Sequence, residues 1–342
     1  MKAAVYRAPH QVNIEEVPRP EPGPGEVLLK VQACGVCGTD LKKIAHGDPP
    51  PPRIFGHEVA GGVAAVGAGV RGWEPEDRAI FFHHIPCRSC DLCRRQAYAQ
   101  CPQYLKVGTT AGFEPAGGGF AEYVKVMDWI VRDGLVRIPD GVTDEEATFV
   151  EPVNTCLKGV RKAGIRPGNS VLIFGAGPVG LTLLQLAKLE GARVSVSDPI
   201  LERLETARKL GAEETVRPEL VEGRTPVDIV LVAAAAPQAV QAALDAVRPA
   251  GRVVLFAQTR VGELAPVDVG QIGKLEKELI GSYSASVDLQ QEAADLVFSR
   301  RIKVAPLITH RFPLERINEA IAVASNPSAQ SLKVIVRMNG AE

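Results

Sequence analysis

SVLIFGAGPVG, residues 170–180, is the stretch whose reading decides the fold. The apolar run Ser170 to Phe174 has the length of a buried strand, and LTLLQLAKLEG after Gly180 has helical composition. Between them, Gly175-Ala176-Gly177-Pro178-Val179-Gly180 supplies the spacing Gly-x-Gly-x-x-Gly in the strand-turn-helix setting that gives it meaning. Gly175 permits a tight turn, Gly177 lets a pyrophosphate approach the backbone at a helix N-terminus, and Gly180 lets helix and strand pack closely. Pro178 and Val179 complete the loop and count with the glycines as candidate dinucleotide contacts. The next strand-like run, RVSVSD, ends on Asp198, 18 positions past Gly180. A carboxylate there accepts from the 2′-hydroxyl of an adenosine ribose and repels a 2′-phosphate, which predicts NAD. Taken alone, Asp198 reads equally well as a turn residue, and the glycines alone would be a weak signal. Arg203, in the following helical stretch, lies under an adenine or is a solvated helix charge.

Outward from this loop, the strand-length runs RVSVSD, DIVLVAA and GRVVLFA alternate with the helical stretches LERLETARKLGA and PQAVQAALDAV. Strands alternating with helices imply βαβ units, so a doubly wound parallel-sheet α/β domain of Rossmann type is expected over residues 150–286. Residues 1–149 have another texture, short apolar runs such as VLLKVQACGV and HEVAGGVAAVGAGV punctuated by Gly and Pro. That is the rhythm of an irregular, mostly antiparallel, β-rich domain. Residues 287–342 hold the helical stretch DLQQEAADLVFSRR and a strand candidate, LKVIVRM, and are expected to return to complete the first domain. A length of 342 residues suits two domains.

Composition excludes several function classes. Lys plus Arg number 39 against 40 acidic residues, so no electrostatic surplus favours nucleic acid or anionic lipid. The longest apolar stretch, Ile229 to Pro237, is far below the ~20 residues of a membrane helix. The N-terminal stretch lacks a signal-like apolar run and carries Glu15 and Glu16, so a cytoplasmic protein acting on small molecules is expected.

Four of seven cysteines are bunched as Cys87-x2-Cys90-x2-Cys93-x7-Cys101. In a large chain without secretory features this pattern reads as metal rather than disulfides. Four thiolates close a tetrahedral zinc site with no position for substrate, so the site is expected to be structural. A nucleic-acid-binding zinc module is disfavoured, because paired ligands about a dozen residues downstream and a basic excess are both missing. A second donor set is scattered: Cys37 with Thr39 and Asp40, His57 with Glu58, and Glu151. Each has an ordinary reading alone, a buried thiol, a core histidine, two surface charges; together they suit a zinc with an open position.

In these motifs the chain resembles the zinc-containing alcohol and polyol branch of the medium-chain dehydrogenases. The resemblance rests on ACGVCGTD at 33–40, GHE at 56–58, the four cysteines at 87–101, GGFAEYV at 118–124, EP at 151–152, GAGPVG at 175–180 and GSY at 281–283. It implies a GroES-like catalytic domain of N- and C-terminal parts flanking a central Rossmann domain, with the substrate zinc in the cleft between them. It also implies two zincs per chain, NAD and a homotetramer or homodimer. Cys37, His57 and Glu151 fall on the family's catalytic zinc-ligand positions, and Glu58 on a carboxylate that meets the metal directly or through water. Glu151, where alcohol-preferring members have cysteine, points to sorbitol-type and threonine-type enzymes.

The chemistry expected of such a site follows from acidity. A hydroxyl yields hydride only after losing its proton, held with a pKa of roughly 16, and an open zinc position brings a bound oxygen toward roughly 7. Thr39 is placed to accept that proton. Related enzymes usually have a histidine three residues further on, whereas this chain has Lys42; Lys42 relays, His46 substitutes, or the proton leaves by water. Asn154 and Lys158 also depart from the usual polyol pattern, while Cys34 and Cys156 read as core thiols. The first expectation is therefore zinc-dependent oxidation of a secondary hydroxyl of a small polyol or alcohol, its nearest rival an L-threonine-type amino-alcohol dehydrogenase. From another class, a nucleotide-sensing, zinc-stabilised scaffold would load only the four-cysteine site. A zinc-free quinone reductase is disfavoured by both ligand sets.

Overall fold

Residues 170–174 form the third strand of a six-stranded sheet, flanked on both sides, which explains an apolar run with no polar alternation: Val171, Leu172, Ile173 and Phe174 are all buried. The computed structural model describes residues 1–47, 50–104, 117–257 and 261–338. Across the sheet the strands run Glu214–Val216, Arg193–Ser197, Ser170–Phe174, Val227–Val232, Val247–Leu255 and Glu278–Gly281, every neighbouring pair parallel. Numbered along the chain this is the order 3-2-1-4-5-6, which reverses direction between Ser170–Phe174 and Val227–Val232. Ligands of open parallel sheets bind outside the strand C-termini at such a reversal, and that is where residues 175–180 lie. The helices Pro178–Leu189, Leu201–Lys209 and Gln238–Ala246 follow successive strands as crossovers. The two outer strands, Glu214–Val216 and Glu278–Gly281, add to the four runs legible as strands in the sequence.

The other sheet has seven strands, built around Val27–Gly35 paired antiparallel with Glu58–Val66. Arg78–Phe81 extends it beyond Glu58–Val66, Leu135–Arg137 follows, and Tyr123–Val126 also pairs with Val27–Gly35. On its other side Val27–Gly35 receives Lys333–Arg337, with Ile335 opposite Gly35 and Val336 opposite Cys34, and Ile308–Pro313 pairs parallel with that strand. The C-terminal part thus completes the β-rich domain through its core: Val334, Ile335 and Val336 are fully buried, each contributing about 1.5–3 kcal/mol by leaving water. A three-stranded sheet of Gln11–Glu16, Lys2–Ala8 and Arg53–Ile54 stands beside it.

By contacts the chain divides into two units, Met1–Asn154 with Ala285–Glu342, and Thr155–Ser284. Helix Val150–Ala163 carries the chain from the first to the second, and Asn154 marks the exit and return. Its side-chain amide donates to Ser286 O at 2.9 Å and its Oδ1 accepts from Ser286 N at 2.9 Å. No helix among the described residues is long and apolar enough to cross a membrane.

Candidate metal and nucleotide sites

Cys37 follows strand Val27–Gly35 and serves as N-cap of helix Gly38–His46. Its Sγ accepts from Thr39 N at 3.5 Å, while Asp40, one turn into the helix, accepts from Cys37 N at 3.1 Å. This reciprocal cap fixes where the sulfur points. His57 and Glu58 open the neighbouring strand, and one donor atom each from Cys37, His57 and Glu58 lie within 4.8 Å of one another. Glu151 is not among those three. It stands close enough for His57, Glu58, Lys333 and Asp40 to act on its charge, and burial pushes its carboxyl up to about 7.

Asp40, which the sequence offers only as part of the Cys37-x-Thr39-Asp40 motif, organises the site. Fully buried, it places Oδ1 at 3.2 Å from His57 Nδ1 and 3.4 Å from Gly56 N. With Nδ1 so engaged, Nε2 is the nitrogen left to face a metal, the usual carboxylate-histidine arrangement behind zinc. Burial opposes charge on His57, but Asp40 and Cys37 outweigh it and hold the imidazolium well above the ordinary histidine value. Lys333, from the C-terminal strand, is also buried; its Nζ pairs with Glu58 and donates to Val36 O at 3.1 Å. Only Gly at position 35 allows this, since a Cβ there would stand 1.9 Å from Glu58 Oε2. A thiol, an imidazole with its far nitrogen engaged and a carboxylate form a donor set that fits zinc.

Thr39 and Lys42 lie on the exposed side of helix Gly38–His46, as does His46. Residues 39, 42 and 46 share one helical face by their spacing. Two further histidines, His83 and His84, were overlooked by the sequence reading. Both are buried, and the His83 ring centroid stands 5.3 Å from that of His57.

The donor sulfurs of Cys87, Cys90, Cys93 and Cys101 likewise gather within 4.8 Å. Cys90 Sγ stands 3.5 Å from Cys93 Sγ, and Cys87 Sγ 3.9 Å from it, without a disulfide. Sulfurs bound to one tetrahedral zinc at about 2.3 Å are separated by about 3.8 Å, so this set also fits zinc. Hydrogen bonds from Ser89 pull the Cys87 thiol down to about 5, while burial pushes Cys93 up to about 12.

In the other unit Gly175 has φ +102°, a left-handed conformation that favours glycine. A Cβ on Gly180 would stand 1.8 Å from Gly175 O, whereas one on Gly177 would meet nothing within 4 Å. Gly180 is thus required by packing, and Gly177 leaves space before the helix, where Pro178 occupies the first turn and Val179 follows. Asp198 is buried; Oδ2 accepts from Ala176 N at 2.7 Å and Oδ1 from Ile200 N at 2.9 Å. The carboxylate is locked against the glycine loop with lone pairs to spare. Arg203 sits half-buried in helix Leu201–Lys209.

Residues 23–140 match the family model of the alcohol dehydrogenase GroES-like domain, and residues 178–299 that of zinc-binding dehydrogenase. The chain is 31% identical to sorbitol dehydrogenase of Bacillus subtilis, over 99% of this chain and 98% of that protein. It is 40% identical to L-threonine 3-dehydrogenase of Pyrococcus horikoshii, over 70% of this chain and 71% of that protein. Among solved structures, a zinc-binding dehydrogenase from Sinorhizobium meliloti bound to NADP superposes with a TM-score of 0.88 at 32% identity, over 98% of each chain.

Proposed function

The chain belongs to the zinc-containing medium-chain dehydrogenase family, and on that premise we propose that it oxidises a secondary hydroxyl of a small polyol, with NAD taking the hydride. The observation that carries this reading is the convergence of Cys37, His57 and Glu58 donor atoms within 4.8 Å. When bound, zinc supplies a Lewis acid that lowers a hydroxyl pKa from roughly 16 toward roughly 7, and the nicotinamide supplies the hydride acceptor. Cys37 and His57 would hold the metal, with Glu58 or Glu151 contributing a carboxylate directly or through water. Asp40 keeps His57 in the tautomer that presents Nε2. Thr39 takes the substrate proton at its hydroxyl, and the helix face bearing Lys42 and His46 leads it to solvent. Cys87, Cys90, Cys93 and Cys101 would hold a second, structural zinc.

For the cofactor, Gly175, Gly177, Pro178, Val179 and Gly180 would receive the pyrophosphate, and Asp198 the ribose. The buried Asp198 carboxylate would lie against a 2′-phosphate, and this supports NAD over the NADP carried by the Sinorhizobium relative. Arg203 is the candidate adenine neighbour. Strand Glu278–Gly281, an edge of its sheet among the described residues, and the exposed apolar residues Val261, Leu264 and Val269 support a homodimer or homotetramer, and a cytoplasmic location is part of the same reading.

A second reading, oxidation of L-threonine, is favoured by the 40% identity to the Pyrococcus enzyme. NAD reduction measured over polyols, simple secondary alcohols and L-threonine separates the two. Turnover of polyols supports the first reading, turnover of L-threonine alone replaces it with the second, and turnover of neither by zinc-loaded protein refutes both.

A further inference from the structure

The stretch GGFAEYV at 118–124 contributes no donor to the group of Cys37, His57 and Glu58, yet it packs against the turn that presents His57. Gly119 N donates to Gly56 O at 2.8 Å and Phe120 N to Phe55 O at 2.9 Å, while Phe120 O accepts from Ala4 N at 2.8 Å. Just beyond, Tyr123–Val126 pairs with Val27–Gly35, so residues 118–120 are pinned from several sides. The approach leaves no room for side chains. A Cβ on Gly118 would stand 2.4 Å from both Ile54 O and Phe55 O, and one on Gly119 would stand 2.3 Å from Val59 Cγ2 and 2.8 Å from Cys34 Sγ. Facing them, Gly56 has φ +95°, a left-handed conformation that favours glycine, and a Cβ there would stand 2.9 Å from Phe120 N.

We infer that Gly119 is a positioning residue for His57, its backbone N–H fixing the peptide from which the imidazole is presented to a metal. This rests on the reading of Cys37, His57 and Glu58 as a metal group. Gly56 O belongs to the peptide that joins Gly56 to His57, and because that unit is planar, a bond to its oxygen fixes the direction of His57 N and Cα. Asp40 acts on the same segment from the other side, accepting from Gly56 N at 3.4 Å and meeting His57 Nδ1 at 3.2 Å. Backbone and ring are thus held separately, by Gly119 and by Asp40. A methyl group at position 119 cannot be absorbed by its neighbours, since Cys34 and Val59 stand opposite one another in the paired strands Val27–Gly35 and Glu58–Val66. The segment 118–120 must retreat instead, and the bond to Gly56 O is what it gives up. A metal constellation has to be held within about 0.5 Å of its productive geometry, so the loss reaches the metal through His57.

The test measures zinc affinity at both sites by chelator competition, and the absorption spectrum of cobalt(II) bound in place of the first zinc, in the wild type and Gly119→Ala. The variant is expected to bind metal at Cys37, His57 and Glu58 about 10–100-fold more weakly, with an altered cobalt spectrum and an unchanged four-cysteine site. Adding Cys34→Ala and Val59→Ala, which removes the two atoms the new methyl would meet, should restore most of the affinity and the spectrum. In the wild type, amide hydrogen exchange over residues 118–120 is followed before and after a chelator strips the first zinc. Coupling is reciprocal, so exchange should quicken about tenfold when that metal leaves. A wild type that binds zinc only at the four cysteines removes the metal reading itself. A wild type with two zincs and unchanged exchange overturns this inference alone, whether or not Gly119→Ala folds. So does a Gly119→Ala protein that keeps its affinity and cobalt spectrum, one that weakens both zinc sites equally, or a triple variant that recovers nothing.

Discussion

Lys333 and Glu58 form a buried ion pair that joins the C-terminal strand to the strand bearing His57. Burial works against the ammonium, yet Glu58, Cys37 and Glu151 raise the Lys333 pKa above the ordinary 10.5. A lysine whose pKa is higher folded than unfolded stabilises the fold below its unfolded pKa, and that contribution is lost as pH rises through the folded value.

Removing one partner leaves the other charged and unpaired. Lys333→Met is expected to destabilise metal-free protein by about 3–5 kcal/mol, read from urea unfolding, whereas Lys333→Met combined with Glu58→Gln recovers much of the loss. Equal destabilisation by the single and double variants would show that the pair contributes nothing specific.

Asp40→Asn keeps the size of the side chain and removes its charge. Because Asp40 orients His57 from 3.2 Å, catalytic-site zinc affinity should fall about 10–100-fold in chelator competition, with the four-cysteine site unaffected. The motif Cys37-x-x-Asp40 has the spacing of a helix cap, the one local signal in the sequence that points to Asp40.

For the proton path, Thr39→Val should lower kcat about 10²–10⁴-fold at unchanged zinc content and NADH affinity. Lys42→Ala should retain activity with an altered pH profile for turnover; an unchanged profile assigns the exit to His46 or water.

Asp198→Ala should raise the Kd for NAD and relax discrimination against NADP, since the carboxylate anchored on Ala176 N and Ile200 N is the group that would meet a 2′-phosphate. Gly180→Ala is expected to lose nucleotide binding altogether, because its Cβ would stand 1.8 Å from Gly175 O. Isothermal titration with NAD and NADP checks both.

Much of this architecture was readable because it is written in local patterns. The glycine loop, Asp198 and the four cysteines each lie within one loop or adjoining elements, so their spacing, read in its strand-turn-helix setting, singled them out as candidates. The central strands were legible as apolar runs because burial on both faces removes alternation. The short strands Glu214–Val216 and Glu278–Gly281 were not, since edge positions are partly exposed and their residues carry no such signal. Lys333 and His83 were invisible for another reason. Each reaches its neighbour only through the folding of distant segments, Lys333 across 275 residues to Glu58 and His83 to a ring-centroid distance of 5.3 Å from His57, and such approach is not encoded in the spacing of the residues it unites. Glu151 shows the converse: the resemblance ranked it ahead of Glu58 as a ligand, while the geometry draws Glu58 into the group with Cys37 and His57.

The most direct test is zinc per chain measured alongside polyol-dependent NAD reduction, in the wild type and in Cys37→Ala. Two zincs in the wild type, falling to one with loss of turnover in the variant, is the predicted result. One zinc in an active wild type, or full turnover by Cys37→Ala, would contradict a catalytic metal at Cys37, His57 and Glu58.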